Sequence, residues 1–340
     1  MDLRKLKKMI GQIESGKLKI RILANNATSI TLQTDNRFGG SVIQPQFDSV
    51  NTVGEHGLGM SITVYDDEKS HEFLFDTGSI NQSIIGNIKA LNVEYNEIEK
   101  IILSHGHFDH FGGLTAIIPK LNVGSKIYLH KGCFDQYHII FSTTGKKILA
   151  NELGPNLEKL VEEGKIKHRK LVLLERNVVN NLANKAGVEI IETSEPTKLY
   201  KGIITSGEIE IFDKIEVSQG FYSEKKPEIL EEHTFRDETS LYINIKDKGL
   251  IILTGCGHVG IINTIKHAQK ITGINKIYVI IGGFHRENSS AETINSAVGF
   301  ITQLNPKITC GTHCTGFEFN NAMRKHVSHT LGVVGTEFRL

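Results

Sequence analysis

The sequence is poor in cysteine, has no excess of one charge and lacks any long apolar run. Four cysteines in 340 residues are too few for a disulfide framework, so we expect free thiols and a cytoplasmic protein. Lysine and arginine total 39 against 38 acidic residues, and a balanced charge offers no general attraction for nucleic acid. No apolar stretch reaches the ~18 residues of a membrane span, and no secretory signal is evident. We therefore expect neither nucleic acid nor membrane as a partner, and a homo-oligomer stays an open alternative.

Alternating strand and helix patterns divide the chain into two halves, which is typical of an α/β fold. The first half begins with a strand and loop at 17–31 and a surface loop at 32–54. It continues with predicted strands at 72–76, 100–104 and 126–130 and helices at 84–91 and 114–121. The second half has a predicted hairpin of strands 241–245 and 249–254, then helices at 260–272, 290–304 and 317–327 and strands at 276–281 and 307–310.

Two regions depart from this alternation. Residues 131–232 are rich in lysine, glutamate and asparagine and show no regular period, so we interpret them as an irregular insert over a site, with surface decoration as the alternative. Near the start of the sequence, apolar residues recur at helical spacing, at Leu3, Leu6, Ile10 and Ile13. We therefore predict an N-terminal helical arm over residues 1–16 and one domain over 17–340, insert included.

Four potential metal ligands lie within six residues, directly after a predicted buried strand. They are His105, His107, Asp109 and His110, in the stretch SHGHFDH. Residues two apart in an extended chain face the same side, so the first two imidazoles can bind one ion. The chain then turns through glycines, which can direct Asp109 and His110 toward a neighbouring ion. Imidazole suits zinc or iron, and the added carboxylate lets the cluster hold two cations.

The order of motifs resembles the metallo-β-lactamase superfamily. The motif H-x-H-x-D-H follows one strand, and the strand before it ends in Asp76-Thr77-Gly78. Further stretches, EHGL, KGI, TSGEI, LTGCGHVGIINTI, IGGFH and HCTG, follow the order of the subfamily named for 7,8-dihydropterin-6-ylmethyl-4-(β-D-ribofuranosyl)aminobenzene 5′-phosphate synthase. The resemblance covers about residues 18–335. It implies a four-layer α/β/β/α sandwich, here with an irregular insert between the two halves.

The resemblance also implies ligands from the second half of the chain. They are a histidine before a hairpin, an acidic or thiolate residue at its end and a histidine after the final strand, matched here by His233, Cys256 and His313. His233 would join His105 and His107 at one ion, His313 would join Asp109 and His110 at the other, and Cys256 would lie at or near both. Many relatives have aspartate where Cys256 stands, and a thiolate favours zinc. We therefore expect two divalent ions, zinc first, with iron or manganese as alternatives.

Several assignments stay open. His258 competes with Cys256 as a ligand, because either side chain of a Cys-x-His sequence can face inward; the alternative for Cys256 is a buried structural thiol. Asp76 matches a superfamily position that holds a ligand histidine by hydrogen bonds, and the alternative is a cap of the following helix. His56 and His285 match subfamily positions that face the substrate. The predicted substrate-binding set is His56, His258 and His285.

The resemblance implies a small-molecule substrate, phosphorylated in the synthase subfamily, and more than one reaction type. In hydrolytic members two cations lower the pKa of a bridging water, and Asp109 would bind metal and orient that nucleophile. In the synthase the cations would coordinate a diphosphate leaving group that an aryl nucleophile displaces at the pterin methylene. The sequence has no Walker-type phosphate loop, so phosphate binding would depend on metal and basic side chains. We expect a pterin-type transferase, with a hydrolase of a phosphoester, lactone or thioester and a metal-bound sensor as alternatives.

Overall fold

The computed structural model describes residues 10–36, 40–46, 51–67, 69–144, 150, 153–227, 229–326 and 328–340. The strands are β1 (Leu18–Ala24), β2 (Ser41–Ile43), β3 (Gly59–Tyr65), β4 (Ser70–Phe75), β5 (Ile98–Ile102), β6 (Lys126–Leu129), β7 (Gln136–Ser142), β8 (Ile166–Lys170), β9 (Glu189–Glu192), β10 (Lys198–Tyr200), β11 (Ile203–Thr205), β12 (Phe221–Lys226), β13 (Ile229–Glu232), β14 (Leu241–Ile245), β15 (Gly249–Thr254), β16 (Ile277–Gly282), β17 (Ile308–Gly311) and β18 (Glu337–Arg339). The helices are α1 (Asn81–Ala90), α2 (Phe108–Phe111), α3 (Leu114–Ile117), α4 (Leu157–Glu162), α5 (Arg176–Ala186), α6 (Ile261–Thr272), α7 (Ala291–Leu304) and α8 (Phe317–Met323).

Two large sheets pack face to face through the central core. The first sheet has the strand order β2-β18-β1-β3-β4-β5-β6-β9, and the second has the order β10-β11-β14-β15-β16-β17. Strand β15 shows why both faces are buried. Its residues Ile251 and Leu253 belong to the core between the sheets, whereas Leu250 and Ile252 pack against helices on the outer side. An uninterrupted apolar run is what a strand buried on both faces requires.

Helices cover the outer face of each sheet and complete the four layers. Helices α1, α3 and α5 supply Ile84, Leu114 and Val179 to the cluster outside the first sheet. Helices α6, α7 and α8 supply Ile265, Ile301 and Phe319 to the matching cluster outside the second sheet. The α/β/β/α sandwich expected from the resemblance is therefore confirmed.

Parallel strands bring the functional loops to one edge of the sandwich. Strands β4, β5, β6 and β9 run parallel in the first sheet, and β15, β16 and β17 run parallel in the second. The chain leaving β4 carries Asp76, and the chain leaving β5 carries the histidine motif. Cys256 and His258 follow β15, and His313 follows β17. The carboxyl ends of parallel strands form the usual ligand crevice of an open α/β sheet.

The predicted irregularity of residues 131–232 is wrong. Strands β13, β12, β7 and β8 form a four-stranded antiparallel sheet, which we call the insert sheet. Strand β7 pairs with β12 and β8, both far from it in sequence, so local composition gave no sign of this sheet. The part of the region from α5 to β11 belongs instead to the two large sheets and their outer helices.

Other expectations differ at the ends of the chain. The helical arm does not extend over residues 10–16, where Ile13 forms a bridge with Ile245; residues 1–9 of that prediction lie outside the described residues. Strand β2 lies within the expected surface loop at 32–54, and strand β18 was not predicted. The predicted hairpin is confirmed as β14 and β15. Within the described part of the chain, no helix combines the length and apolar character needed to cross a bilayer.

Candidate metal centre

The histidine motif follows β5 in a tightly packed loop. Gly106 separates the first two histidines, and a Cβ at this position would lie 2.6 Å from the carbonyl oxygen of Cys133. Only glycine fits this close approach without a backbone shift. The Nε2 atoms of His105 and His107 are buried and have no hydrogen-bond partner among the described residues. Buried imidazole nitrogens normally have a partner, and Nδ1 of His105 already lies 2.9 Å from the Ser104 hydroxyl, so Nε2 of His105 is available as a metal donor.

A first group of ligand atoms combines Asp109, His110, Cys256 and His313, all buried and within 4.8 Å of one another. The Nε2 atom of His110 lies 3.1 Å from the sulfur of Cys256. The Nε2 atom of His313 lies 3.0 Å from Oδ2 of Asp109. One carboxylate, two imidazoles and one thiol form a donor set suited to zinc.

A second group combines His105, Cys256 and His258, again buried and within 4.8 Å. The Nε2 atom of His258 lies 3.2 Å from Nδ1 of His107, so His107 is adjacent to this second group. The structure therefore brings both Cys256 and His258 inward. Gly257, with φ of +75°, makes the turn that lets two residues so close in sequence face one cluster.

His233, which the sequence predicted as a ligand, lies outside this cluster in the structure. Its Nε2 atom lies 3.0 Å from Oδ1 of the buried Asp237. The ring of Phe235 packs against His233 at 4.5 Å and against His258 at 4.4 Å between centroids. His233 thus faces a separate cavity, and His258 lies beside His105 and His107.

Burial and charge set the protonation of the ligands. Burial lowers the pKa of His107 to about 3 and holds those of His105 and His258 well below the usual range. These three imidazoles are therefore neutral at physiological pH, as metal binding requires. Burial disfavours the charged form of His110, but Asp76 and Asp109 outweigh it and raise the pKa to about 9.

Asp76 supports the histidine motif through hydrogen bonds on the side away from the cluster. Its Oδ2 atom lies 2.7 Å from Nδ1 of His110, which leaves Nε2 of that ring free to face the cluster. The same carboxylate accepts hydrogen bonds from the backbone N–H and the hydroxyl of Ser104, both at 2.7 Å. The alternative role as a helix cap does not hold, because α1 begins after Ile80 and has no side-chain cap.

Several supporting residues were missed in the sequence. Asp237 accepts a hydrogen bond from the backbone N–H of Gly106 at 3.0 Å, and Glu238 accepts those of His258 and Val259 at 2.8 Å. Two adjacent acidic residues before an apolar strand were the only signal, and they resembled an ordinary charged surface. Asn26 lies 3.0 Å from Nδ1 of His313 and carried no pattern at all.

The cluster opens into a cavity of about 670 Å³. His56 lies half-exposed at its mouth, with Nε2 3.4 Å from Oδ2 of Asp109. His285 also lines the cavity, 4.1 Å from His258 between ring centroids, and burial lowers its pKa to about 4. All three residues predicted to face the substrate, His56, His258 and His285, therefore line one cavity beside the ligand cluster.

Comparisons with known proteins agree with this geometry. A family model described as the metallo-beta-lactamase superfamily matches residues 59–175. The 7,8-dihydropterin-6-methyl-4-(beta-D-ribofuranosyl)-aminobenzene-5′-phosphate synthase of Methanocaldococcus jannaschii is 34% identical over 271 residues, covering 78% of this chain and 83% of that protein. An uncharacterized protein of the same organism is 28% identical over 82% of this chain and 94% of its own length.

Among solved structures, Tm1679, described as a metal-dependent hydrolase of the beta-lactamase superfamily, shares the fold. It has a TM-score of 0.66 at 21% sequence identity, and the match covers 95% of this chain and 99% of that chain. The family model and the synthase relative support the family assignment more strongly than the shared fold alone does. The chain belongs to the metallo-β-lactamase superfamily.

Proposed function

We propose that the protein is an enzyme that binds two divalent metal ions, zinc first, and acts on a small molecule. The single observation that supports this proposal most strongly is that six buried side chains form two overlapping groups of ligand atoms that share Cys256, with His107 next to His258 as a seventh. His105, His107 and His258 would hold one ion, Asp109, His110 and His313 would hold the other, and Cys256 would lie between them. Seven donors exceed what one tetrahedral ion accepts.

The fit of a metal follows from the donors themselves. The buried Nε2 atom of His105 lacks any partner in the described chain, and His107 presents its Nδ1 atom to His258. Neutral imidazoles with a thiol are typical zinc donors. When bound, two such ions would supply Lewis acidity toward an oxyanion leaving group or a water molecule. The other groups act around them: Asp76 fixes the tautomer of His110, and Asn26 orients His313.

The reaction that we propose is a group transfer of the pterin-synthase type. Its support is the synthase relative, which is 34% identical over most of this chain. In such a reaction the cavity would bind two reactants, and the half-exposed His56 beside Asp109 would meet the reactant that enters last. His285 and Ser218, joined at 3.0 Å, would bind polar substrate atoms on the opposite wall.

The proposal is tested in two steps. Protein purified without chelator should carry about two zinc ions per chain by elemental analysis, because seven donors form two half-sites. The metal-loaded protein is then assayed with a pterin diphosphate and an arylamine acceptor, with release of diphosphate as the readout. About one metal per chain at saturation would contradict the two-ion centre. Two ions without diphosphate release would leave the centre standing and refute the transfer reaction.

A hydrolase is the second candidate function. It is favoured by the access of solvent to the ligands, since the side chain of His56 is 57% exposed and contacts Asp109 directly. Water can therefore reach the position next to that carboxylate. A panel of phosphodiester, lactone and thioester substrates separates the two candidates, because only a hydrolase turns them over without an acceptor molecule.

A further inference from the structure

One face of the insert sheet forms a wall of the cavity next to the metal centre. Strand β7 supplies Ile139 and Phe141, strand β8 supplies Arg169, and strand β12 supplies Phe221. Alternate residues of a strand point to the same side, which explains why residues 139 and 141 both face the cavity. The wall is apolar except for one guanidinium group.

The strand register arranges three of these residues in a row. Phe221 pairs with Ile139 across β12 and β7, and Ile139 pairs with Arg169 across β7 and β8. Neighbouring strands lie about 4.8 Å apart, so the row spans about 10 Å from Phe221 to Arg169. At its inner end, the ring of Phe221 stacks on His107 with centroids 5.3 Å apart and an angle of 18°. The row thus leads from the metal centre to a cation.

Arg169 forms no ion pair within the described part of the chain. Its guanidinium carbon lies 5.8 Å from the ring centroid of Phe108, within cation–π range, and no carboxylate of the described residues forms an ion pair with it. The second arginine of the cavity differs, since Arg286 is buried and paired with Glu216 at 2.5 Å. A free guanidinium presents a planar fork of N–H donors that suits a phosphate.

We infer that Arg169 determines substrate specificity by binding a terminal phosphate of the substrate. The reacting group of the substrate would then lie at the metal centre, and a flat apolar segment would lie along Phe221 and Ile139. This inference rests on the proposed function, since it places the reacting group at the metal ions. It adds where the phosphate would bind: at Arg169, about 10 Å from the reacting end and across a flat apolar segment, by the spacing of the strands.

Calorimetric binding to the metal-loaded protein tests the inference without any turnover. The probes are adenosine 5′-monophosphate and adenosine, which share a flat ring and differ only in the phosphate. The unmodified protein should bind the monophosphate roughly tenfold more tightly, as expected for one charge-assisted pair. Arg169→Gln should remove this preference, and Arg169→Lys should keep part of it, because an ammonium lacks the planar fork.

Lys170→Gln is the matched control. Lys170 lies on the same strand on the opposite face, is exposed and carries the same charge, but it pairs with Glu224 and does not line the cavity. This variant should keep the phosphate preference. A preference that survives in Arg169→Gln would mean that the phosphate binds the metal ions, and it would overturn the inference. The absence of any preference in the unmodified protein would overturn it as well.

The outcome is distinguishable from failure of the proposed function. Elemental analysis of every variant reports whether both ions are bound, independently of the nucleotide. Loss of the preference in Arg169→Gln with both ions present supports the phosphate site even if no reaction is found. Conversely, turnover with an unchanged preference would support the enzyme and refute the role of Arg169.

Discussion

The two walls of the cavity are built in opposite ways. The ligand wall consists of loops at the carboxyl ends of parallel strands, and His105 and His110 on it are fully buried. Two of its side chains, His110 and His313, are oriented by hydrogen bonds to Asp76 and Asn26, whose oxygen atoms accept them. The insert wall consists of strand faces, and Phe141 on it is 54% exposed. The chemistry is thus fixed by the sandwich, whereas the shape of the substrate pocket depends on a separate sheet.

The largest effect is expected from a substitution in the ligand wall. His258→Gln should reduce the metal content from about two ions to about one per chain, because one ion loses a ligand that an amide replaces poorly. His233→Gln is the matched control and should keep both ions, since His233 bonds to Asp237 outside the cluster. Elemental analysis of both variants decides between them. The reverse result, with His233 required and His258 dispensable, would refute the ligand assignment made from the structure.

A smaller effect is expected behind the ligand wall. Asp76→Asn should weaken metal binding about 10- to 100-fold, the usual cost of losing a carboxylate that orients a ligand histidine. Asp76 has φ of 61°, a conformation that asparagine tolerates, so the backbone should not change. Competition with a chelator measures the affinity, and the melting temperature of the metal-free variant reports folding. An unchanged affinity would remove Asp76 from the support of the centre.

The ligand wall should also respond to pH. Burial, together with Cys314, raises the pKa of the Cys256 thiol well above its usual range, and Asp76 and Asp109 keep His110 protonated up to about pH 9. Metal binding must displace these protons, so affinity should rise about tenfold per pH unit for each proton released below those pKa values. Calorimetry in buffers of different ionisation enthalpy counts the protons. Binding without proton release would exclude Cys256 as a thiolate ligand.

The smallest effect is expected on the insert wall. Phe141→Ala should raise KM roughly fivefold, as expected for about 1 kcal/mol of lost apolar contact, and leave both ions bound. Phe212→Ala is the matched control, because Phe212 is also exposed, at 42%, and lies outside this cavity. Steady-state kinetics with the identified substrate compare the two variants. Equal KM values for both would show that the insert sheet does not contact the substrate.

Local patterns predicted the parts of the site that are local in sequence. The stretch from His105 to His110 places four ligands on one loop, and the hairpin before Cys256 had the expected bounds. The choice between His233 and His258 depended on which loop returns to the cluster, and that is decided by packing of Phe235 between them. Sequence spacing alone contains no such information.

The insert sheet was not predicted from the sequence, for a related reason. His138 and Glu224 are neighbours across β7 and β12 although 86 positions separate them. Strand β8 (IKHRK) and the ends of β12 (FYSEKK) and β13 (ILEE) are charged and show no alternation of polar and apolar residues, so the region resembled a charged surface rather than a sheet. The four-layer sandwich, in contrast, was predictable because strands buried on both faces appear as continuous apolar runs.

The positions of the contacting residues along the chain also affect when the fold can be completed during synthesis. His107 and His258 meet across 151 positions, and Arg21 meets Glu337 on β18 across 316 positions. The first sheet therefore stays incomplete until nearly the whole described chain has left the ribosome, and the proposed half-sites lack His258 and His313 until most of it has. Contacts of such high sequence separation form late and slowly. Metal loading should accordingly be a final step of maturation, with the emerging histidine motif exposed beforehand to any metal ion in its surroundings.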